Sequence, residues 1–386
     1  MTRVLINLTW LVPGVVGGSE ESTTDTVRAL IKAAPSEFDF ELAVLEPFLE
    51  AHPDLAEQMP CHLAPFGEGN KALRILAEQT WLARLARSRR AGIVHHAGGV
   101  VPLVHPGRVV LTIHDLQPVE YPENFMPSKR RYLNAMLGRS VKSADVIAVP
   151  SRFTGERVRD LLGVAEDRIV EVPWSVSQRI VPEWTDTNPL EEVDLYPGWS
   201  PERRFILYPA ITYPHKRHIL LVDAFARLTD TQPDLDMVLT GGYAQMEGKV
   251  LARMSDHNLT GRVHRLGRVP LNHLERLYAA ASAVVIPSSY EGFGLPALEA
   301  MSRGVPVLGA KAGSLTELLE PAWLVEGDDP ELWHDRILAL LNLSEADRSA
   351  WRDRGREIAA TFTPERTAEA ALGAYRLALG QQANKT

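Results

Sequence analysis

The stretch SAVVIPSSYEGFGLPALEAMSRGVPVLGA, residues 282–310, decides the fold of this chain. Its apolar run predicts a buried strand, and Pro296 suits the first turn of a helix that Gly304 then ends. A second apolar run follows at once, so the stretch has the strand, helix, strand order of a parallel sheet. Two carboxylates stand where such sheets bind ligands: Glu291 in the turn after the first strand, and Glu299 in the first turns of the helix.

The same alternation of apolar runs and helical patterns extends along the whole chain. Strands are predicted in the first half at RVLINL, FELAVL, GIVHH, RVVLTIH, DVIAVPS and RIVEVP. In the second half they are predicted at RFILYPA, DMVLTGG, RVHRLG, AVVIPSS, VPVLGA and AWLVEG. Apolar strands that alternate with helices need cover on both faces of a parallel sheet. The chain therefore predicts an α/β protein of two doubly wound domains, with its ligand site in the cleft between them.

The domain boundaries follow from a break in this rhythm. Residues 176–203 are rich in proline, acidic residues and turn formers, which is typical of a linker. We predict an N-terminal domain at residues 1–178, a linker at 179–203 and a second domain at 204–365. The last helical pattern, residues 366–386, predicts a C-terminal helix that could pack back on the N-terminal domain.

Composition narrows the classes of protein. The 386 residues are 45% hydrophobic and 23% charged, as in ordinary soluble globular proteins. Cys61 is the single cysteine, so it forms no internal disulfide, and a reducing, cytoplasmic location is expected. A net charge of −8 argues against nucleic acid as a partner. No apolar run approaches the roughly 18 residues of a membrane span, and the N-terminal stretch is predicted to be the first strand rather than a signal peptide.

The turn before the 282–310 helix is suited to an anion. Backbone N–H groups at Gly294 and Leu295 stand at the positive end of the predicted helix, and two glycines in the turn let a ligand approach closely. The carboxylates add acceptors for hydroxyl groups. The same letters also fit an ordinary turn followed by a favourable charge in the first helical turn.

These residues carry a family resemblance. PSSYEGFGLPALEAMSRGVPVLG resembles the E-x7-E donor-binding signature of glycosyltransferase family 4, whose retaining members have the GT-B fold of two Rossmann-like domains facing across a cleft. VVLTIHDLQPVEYPENF, ADVIAVPSRFTGERV and VHRLGRVPLNHLERLYAAASAVVIPSS resemble other segments of the family in the expected order. The resemblance therefore covers most of the chain.

The resemblance implies roles for residues of the second domain. Glu299 would accept hydrogen bonds from the ribose hydroxyls of a nucleotide, and Glu291 would bind hydroxyls of the donor sugar. Lys216, in YPHKRH, would offset the charge that develops on the leaving diphosphate. The backbone amides that would hold the sugar or the diphosphate are those of Phe293, Gly294 and Leu295.

In the N-terminal domain, the resemblance implies that Gly17 and Gly18 form a loop over the diphosphate, although such a pair also fits a generic turn. His114, in TIHD, would hydrogen-bond the donor sugar near the reacting carbon. Without the resemblance, His114 fits a hydrogen-bonded histidine at a strand end. The candidates for the acceptor side are His95, His96 and Asp115. Adjacent histidines on a strand point to opposite faces, so at most one of that pair can face the cleft.

The implied reaction is hexosyl transfer with retention. An acceptor hydroxyl in a glycan, a glycolipid or a small molecule attacks from the face that the nucleotide diphosphate leaves, and the leaving phosphate takes the proton. The donor would be GDP-mannose first, with UDP-hexoses close behind, and neither a cofactor nor a metal ion is required. The family's second-domain phosphate loop often adds an arginine, but here Ala210 and His215 stand at its positions. Arg217 could replace that arginine.

A basic stretch raises the question of a membrane. Residues 71–159 contain fifteen Lys and Arg against six Asp and Glu, a local excess of nine positive charges. A partly apolar basic surface could rest on anionic lipid at the inner face of the membrane, although arginine stems over a core face fit an ordinary solvated helix. The residues concerned are Trp81, Leu82, Arg84, Leu85, Arg87, Arg89, Arg90, Lys129, Arg130 and Arg131.

Three other functions fit parts of the sequence. A metal-dependent transferase of the GT-A type needs a DxD pair, which DLD at Asp234 to Asp236 supplies in letters, but these residues precede a strand and are interpreted as a turn. A nucleotide-sugar epimerase or a phosphorylase would share the two-domain fold. A non-catalytic sugar-nucleotide sensor would keep the binding residues and form no product.

Overall fold

The computed structural model describes residues 1–15, 17–67, 78–122, 127–176, 195–200 and 202–380, without the side chains of 127–130, 132 and 134. The chain divides into two compact units. The N-terminal unit comprises Met1–Ser175 and Phe362–Thr386, and the C-terminal unit comprises Val176–Thr361. Most of the linker predicted at 179–203 lies outside the described residues.

The N-terminal unit has a seven-stranded parallel sheet of order β3-β2-β1-β4-β5-β6-β7. All six strands predicted in this half are present, whereas Cys61–Leu63 was not predicted because three partly exposed residues give no apolar run. The strands are β1 Thr2–Asn7, β2 Phe38–Val44, β3 Cys61–Leu63, β4 Ile93–His96, β5 Arg108–Thr112, β6 Val146–Val149 and β7 Ile169–Glu171.

The crossovers between these strands are mostly helical. A π-helical turn at Glu78–Leu82 leads into the fourth helix, and a 3-10 turn at Glu166–Arg168 precedes β7. The helices are α1 Gly18–Ala33, α2 Glu46–Ala51, α3 Pro53–Gln58, α4 Ala83–Ser88, α5 Gln117–Glu120, α6 Pro127–Ser143 and α7 Arg152–Leu162.

The C-terminal unit has a six-stranded parallel sheet of order β10-β9-β8-β11-β12-β13. The six strands predicted from the second half of the sequence are confirmed. They are β8 Arg204–Pro209, β9 Leu235–Thr240, β10 Val263–Gly267, β11 Ala283–Ile286, β12 Val307–Ala310 and β13 Leu324–Val325. Every residue of β9 and β11 is buried, as expected for strands covered on both faces.

Helices and 3-10 turns connect the strands of this second sheet and close the unit. The 3-10 turns are Pro214–Lys216 and Pro321–Trp323. The helices are α8 His218–Leu228, α9 Glu247–Asp256, α10 Leu271–Ala280, α11 Leu295–Ser302, α12 Leu315–Leu318, α13 Pro330–Leu341 and α14 Glu345–Ala359.

The last helix, α15 (Pro364–Ala378), packs on the sheet of the N-terminal unit. The ring of Tyr375 lies 5.7 Å from that of Phe38 and 6.1 Å from that of Phe40, between centroids. Thr367 Oγ1 donates a hydrogen bond to the carbonyl oxygen of Pro173 at 2.7 Å. Helix α15 thus belongs to the core of the first unit. Among the helices described, none combines the length and apolarity that crossing a membrane requires.

The strand order of each sheet creates one position for a ligand. In the C-terminal sheet the chain moves outward from β8 through β9 to β10, and then returns to the other side of β8 for β11. The loops after β8 and β11 therefore leave the carboxyl edge in opposite directions and open a crevice. In the N-terminal sheet the same reversal falls between β1 and β4. The first of these switch points positions Lys216 and Glu291, and the second positions Gly17 and Gly18.

Candidate functional site

The two loops at the C-terminal switch point bring Lys216 and Glu291 together. Lys216 ends the 3-10 turn after β8, and Glu291 lies in the loop after β11. Lys216 Nζ donates to Glu291 Oε1 at 2.7 Å, and the two side chains are only 16% and 10% exposed. The ammonium and the carboxylate thus form a largely buried ion pair at the carboxyl edge of the sheet.

Backbone and side-chain hydrogen bonds fix the Lys216 loop to the loop after β11. Ser289 N donates to the carbonyl oxygen of His215 at 2.8 Å. The hydroxyl of buried Tyr208 donates to the carbonyl oxygen of Lys216 at 2.8 Å and lies 2.8 Å from Ser288 Oγ. Tyr208 and Ser288 were not predicted as site residues, because their letters are those of an ordinary buried strand and its end.

A third loop, after β12, holds the backbone of Glu291. Ser314 donates to the carbonyl oxygen of Glu291 from its Oγ at 2.9 Å and from its N at 3.1 Å. Gly313 has a φ of +57°, and a Cβ there would lie 2.6 Å from that same oxygen. Only glycine fits this approach without strain. The sequence shows a glycine at position 313, but it does not indicate that this glycine contacts Glu291.

The start of α11 has the predicted geometry. Gly294 caps the helix with a φ of +91°, Leu295 is its first residue, and Pro296 lies in its first turn. Phe293, next to the cap, is buried. The first-turn N–H groups form the positive end of the helix dipole, which favours a phosphate or an oxyanion.

Glu299 is oriented by an aromatic hydroxyl. Tyr278, on α10, donates to Glu299 Oε2 at 2.7 Å. Burial and the charge of Glu299 raise the pKa of Tyr278, so its hydroxyl keeps the proton that it donates. The guanidinium of Arg303 lies 5.1 Å from the centre of the Tyr278 ring and pairs with Glu275. The carboxylate of Glu299 is thereby held in one orientation.

The other residues considered for the phosphate loop beside Lys216 are Arg217, His215 and Ala210. Arg217 has a left-handed φ of 51° and pairs with Asp328, whereas the adjacent Lys216 pairs with Glu291. Burial, together with the nearby charge of Lys216, lowers the pKa of His215 to about 3. His215 is therefore neutral near pH 7 and supplies no positive charge, and the Ala210 side chain supplies none.

In the N-terminal unit, the predicted glycines begin α1. Gly17 caps the helix with a φ of +80°, and Gly18 is its first residue. Glu20 Oε2 accepts a hydrogen bond from Gly14 N at 2.8 Å, which closes the loop after β1. The pair therefore lies in the turn at the N-terminal switch point.

His114 follows β5 with one ring nitrogen already used. Its Nε2 lies 2.8 Å from the carbonyl oxygen of Ala97 and must donate, because a carbonyl only accepts. The Nδ1 atom is consequently an acceptor, and it has no hydrogen-bond partner within the part of the chain that the structure describes. The ring centroids of Trp10 and Trp174 lie 5.5 and 5.8 Å away. Burial lowers the pKa of His114 to about 4, so the ring is neutral.

The acceptor-side candidates are held inside the unit. His95 Nδ1 lies 2.9 Å from the hydroxyl of Tyr375 and its Nε2 lies 2.7 Å from Thr112 Oγ1, so both nitrogens are engaged. His96 is buried, with Nδ1 3.4 Å from Asn7 Nδ2. Burial lowers the pKa of His95 to about 4 and that of His96 to about 3. These histidines support the strand ends, and their contact with an acceptor stays a prediction.

Asp115 forms hydrogen bonds with the first residue of the short helix α5. Its Oδ1 accepts from Gln117 N at 3.1 Å, and its Oδ2 accepts from Gln117 Nε2 at 3.0 Å. This is the local role that an Asp two residues ahead of a turn commonly has.

Comparison with known proteins shows the family of this chain. Residues 16–177 match the family described as Glycosyltransferase Family 4, and residues 197–358 match Glycosyl transferases group 1. The O-antigen chain mannosyltransferase B of Escherichia coli is 34% identical over 277 residues, which cover 70% of each chain. The chain belongs to glycosyltransferase family 4. A D-inositol 3-phosphate glycosyltransferase of Acidothermus cellulolyticus is 27% identical over 84% of this chain and 74% of its own.

Solved structures agree on the GT-B fold of this glycosyltransferase. Sucrose-phosphate synthase from Thermosynechococcus elongatus superposes with a TM-score of 0.76 at 18% identity, over 98% of this chain and 100% of its own. WaaG, a glycosyltransferase involved in lipopolysaccharide biosynthesis, gives 0.72 at 17% identity, over 96% and 98%. The predicted fold class is confirmed.

The DLD letters of this glycosyltransferase have a structural role. Asp234 pairs with Arg204 at 2.7 Å. Asp236 lies within β9, so its assignment to a turn was wrong, and it is buried among Arg203, Arg262 and Tyr196. Among the residues that the structure describes, no group of three or more His, Cys, Asp or Glu is placed to hold a metal ion.

The apolar part of the predicted basic surface faces inward. Leu82 is buried, and Trp81 and Leu85 pack against the core formed with Leu5 and Val94. Trp81, Leu82 and Leu85 therefore cover the sheet and do not form a lipid-facing patch. Arg89 pairs with Glu41 at 2.7 Å. The side chains of Lys129 and Arg130 lie outside those described. The arginines of this predicted surface that are exposed are Arg84, Arg87, Arg90 and Arg131.

Proposed function

We propose that this glycosyltransferase transfers a hexose, mannose first, with retention from a nucleotide diphosphate sugar to an acceptor hydroxyl of a growing glycan or glycolipid. The observation that carries the proposal is the buried Lys216–Glu291 pair, which lies in the loops beside the start of α11. Mannose is favoured because the Escherichia coli relative is named as an O-antigen chain mannosyltransferase.

The donor would be read by groups of different chemistry. Glu299, oriented by Tyr278, accepts hydrogen bonds from the ribose hydroxyls. The first-turn amides of α11 and the Lys216 ammonium bind the diphosphate. Glu291 holds Lys216 with one oxygen and binds a sugar hydroxyl with its carboxylate. This set of cations and amides neutralises the diphosphate, so we propose that no metal ion is needed.

The reaction follows from this binding mode. The bond from the anomeric carbon to the diphosphate breaks, and the acceptor oxygen forms the new bond on the same face. The acceptor's proton passes to the departing phosphate oxygen, which serves as the base. Lys216 and the helix amides stabilise the negative charge that grows on the diphosphate. The protein otherwise positions the two substrates, which is enough to lower the barrier substantially.

Calorimetry with GDP, UDP, ADP and dTDP, each with and without EDTA, tests this function. We expect one nucleotide series to bind with EDTA present. Glu299→Ala should weaken that binding about 10- to 100-fold, because a carboxylate that accepts hydroxyl hydrogen bonds is removed. Leu251→Ala, on an exposed face of α9, is the control. Metal-dependent binding, or unchanged affinity in Glu299→Ala, would contradict the proposal.

A matched pair of variants tests the role of His114 as a hydrogen-bond acceptor for a sugar hydroxyl. His114→Gln keeps a donor toward the Ala97 carbonyl oxygen but loses the acceptor at Nδ1, whereas His114→Asn places an amide oxygen near Nδ1. We expect Gln to slow turnover about tenfold or more and Asn to retain more activity, with nucleotide affinity unchanged in both. Equal turnover in the two variants would refute this assignment.

The same measurement has a pH control. Because burial lowers the pKa of His114 to about 4, the ring stays neutral as the pH falls from 8 toward 5.5. Its protonation would begin only as the pH approaches 4. The ratio of wild-type to His114→Gln turnover should therefore be constant over that range, and a ratio that changes near pH 6.5 would show a titrating imidazole.

We also propose a cytoplasmic enzyme whose exposed arginines touch anionic lipid at the membrane surface. Arg84, Arg87 and Arg90 supply the charge, since the apolar side chains of that segment face the core. The protein should pellet with anionic vesicles at low salt and not with neutral ones, and Arg84→Gln with Arg87→Gln should weaken pelleting. Pelleting that is indifferent to lipid charge and salt would exclude this contact.

A further inference from the structure

The loop after β9 meets the end of β10 and the residue that follows it through three glycines, Gly241, Gly242 and Gly267. Gly241 N donates to the carbonyl oxygen of Gly267 at 2.8 Å. A Cβ on Gly267 would lie 2.5 Å from the hydroxyl oxygen of Tyr243, and a Cβ on Gly242 would lie 3.2 Å from Arg268 Nε. The side chain of Tyr243 thus lies against Gly267, and the side chain of Arg268 lies against Gly242.

Tyr243 is fixed in place and yet open to solvent. The guanidinium of Arg265 lies 4.8 Å from the centre of the Tyr243 ring, and Arg265 is itself held by Glu247 at 3.1 Å and by the carbonyl oxygen of Gly242 at 3.1 Å. Even so, Tyr243 is 67% exposed. An aromatic ring that is already ordered loses little conformational entropy when a planar ligand stacks on it.

Hydrogen bonds of Thr212 connect the loop that carries Tyr243 to the loop that carries Lys216. Thr212 N, in the loop that leads to Lys216, donates to the carbonyl oxygen of Gly242 at 3.2 Å. Thr212 Oγ1 accepts from Ala244 N at 2.8 Å and donates to Glu247 Oε2 at 2.9 Å. Hydrogen bonds and side-chain contacts therefore connect the loops after β8, β9 and β10. Lys216 lies in the first of these loops, Tyr243 in the second and Arg268 in the third.

We propose that Tyr243 and Arg268 bind the nucleobase of the donor, an inference that rests on the proposed function. The base stacks on the open face of Tyr243, and the guanidinium of Arg268 donates hydrogen bonds to carbonyl oxygens on the edge of the base. Guanine and uracil present such oxygens, whereas adenine presents an amino group where guanine has O6. This pair of side chains consequently selects guanine or uracil against adenine.

Calorimetry on four variants with GDP, UDP and ADP tests this inference. Tyr243→Ala should weaken binding of the preferred nucleotide about tenfold or more, and Tyr243→Phe should bind like the wild type because it keeps the ring. Arg268→Gln should weaken GDP or UDP and leave ADP nearly unchanged, so that discrimination against adenine shrinks about tenfold. Leu251→Ala is the control for an exposed side chain on the same unit.

The outcomes separate this inference from the proposed function. If the wild type binds no nucleotide, the proposed function fails and the inference fails with it. If the wild type binds one series tightly but Tyr243→Ala and Arg268→Gln bind as the wild type does, the base lies elsewhere and only the inference fails. Tightest binding of ADP by the wild type, or an equal loss for all three nucleotides in Arg268→Gln, would likewise overturn the role in base selection.

Discussion

The ion pair between Lys216 and Glu291 constrains the loops at the carboxyl edge of the sheet in the C-terminal unit. Two charges that are less than one fifth exposed have lost most of their hydration, so each needs the other at hydrogen-bond distance. The loop after β8 must therefore stay against the loop after β11. Tyr208 donates a hydrogen bond to the carbonyl oxygen of Lys216, and Ser289 donates one to that of His215. Ser314 donates to the carbonyl oxygen of Glu291. The Lys216 ammonium is thus held at the carboxyl edge of the sheet by contacts within the protein itself.

Preorganisation of the same kind recurs at the other polar groups. Tyr278 orients Glu299, and the Ala97 carbonyl oxygen fixes the tautomer of His114. Burial keeps the imidazole neutral, so it can accept a hydrogen bond where a cation could not. In the proposed function, each group binds the donor without reorganising during the reaction, which is the source of most electrostatic catalysis. The strand order explains why Lys216 and Glu291 stand at the switch point of their sheet, in the loops after β8 and β11.

Much of this arrangement was predictable because it depends on local patterns. Apolar runs predicted twelve strands, and Pro296 and Gly304 marked the bounds of α11. The contacts between loops were not predictable, because they join residues far apart in sequence. Lys216 and Glu291 were assigned separate roles, and nothing in the letters paired them. Arg217 was proposed for the phosphate loop, yet it pairs with Asp328. Trp81, Leu82 and Leu85 were considered for a lipid contact, yet they pack against the core of the N-terminal unit.

A double-mutant cycle on the ion pair tests the central claim most directly. The dissociation constant of the nucleotide sugar that the wild type binds would be measured for Lys216→Gln, Glu291→Gln and the double variant. If the two residues act as one unit, each single variant weakens the donor at least about tenfold, and the double variant is no weaker than the worse single one. Losses that add independently, or donor affinity that is unchanged in either single variant, would contradict the account.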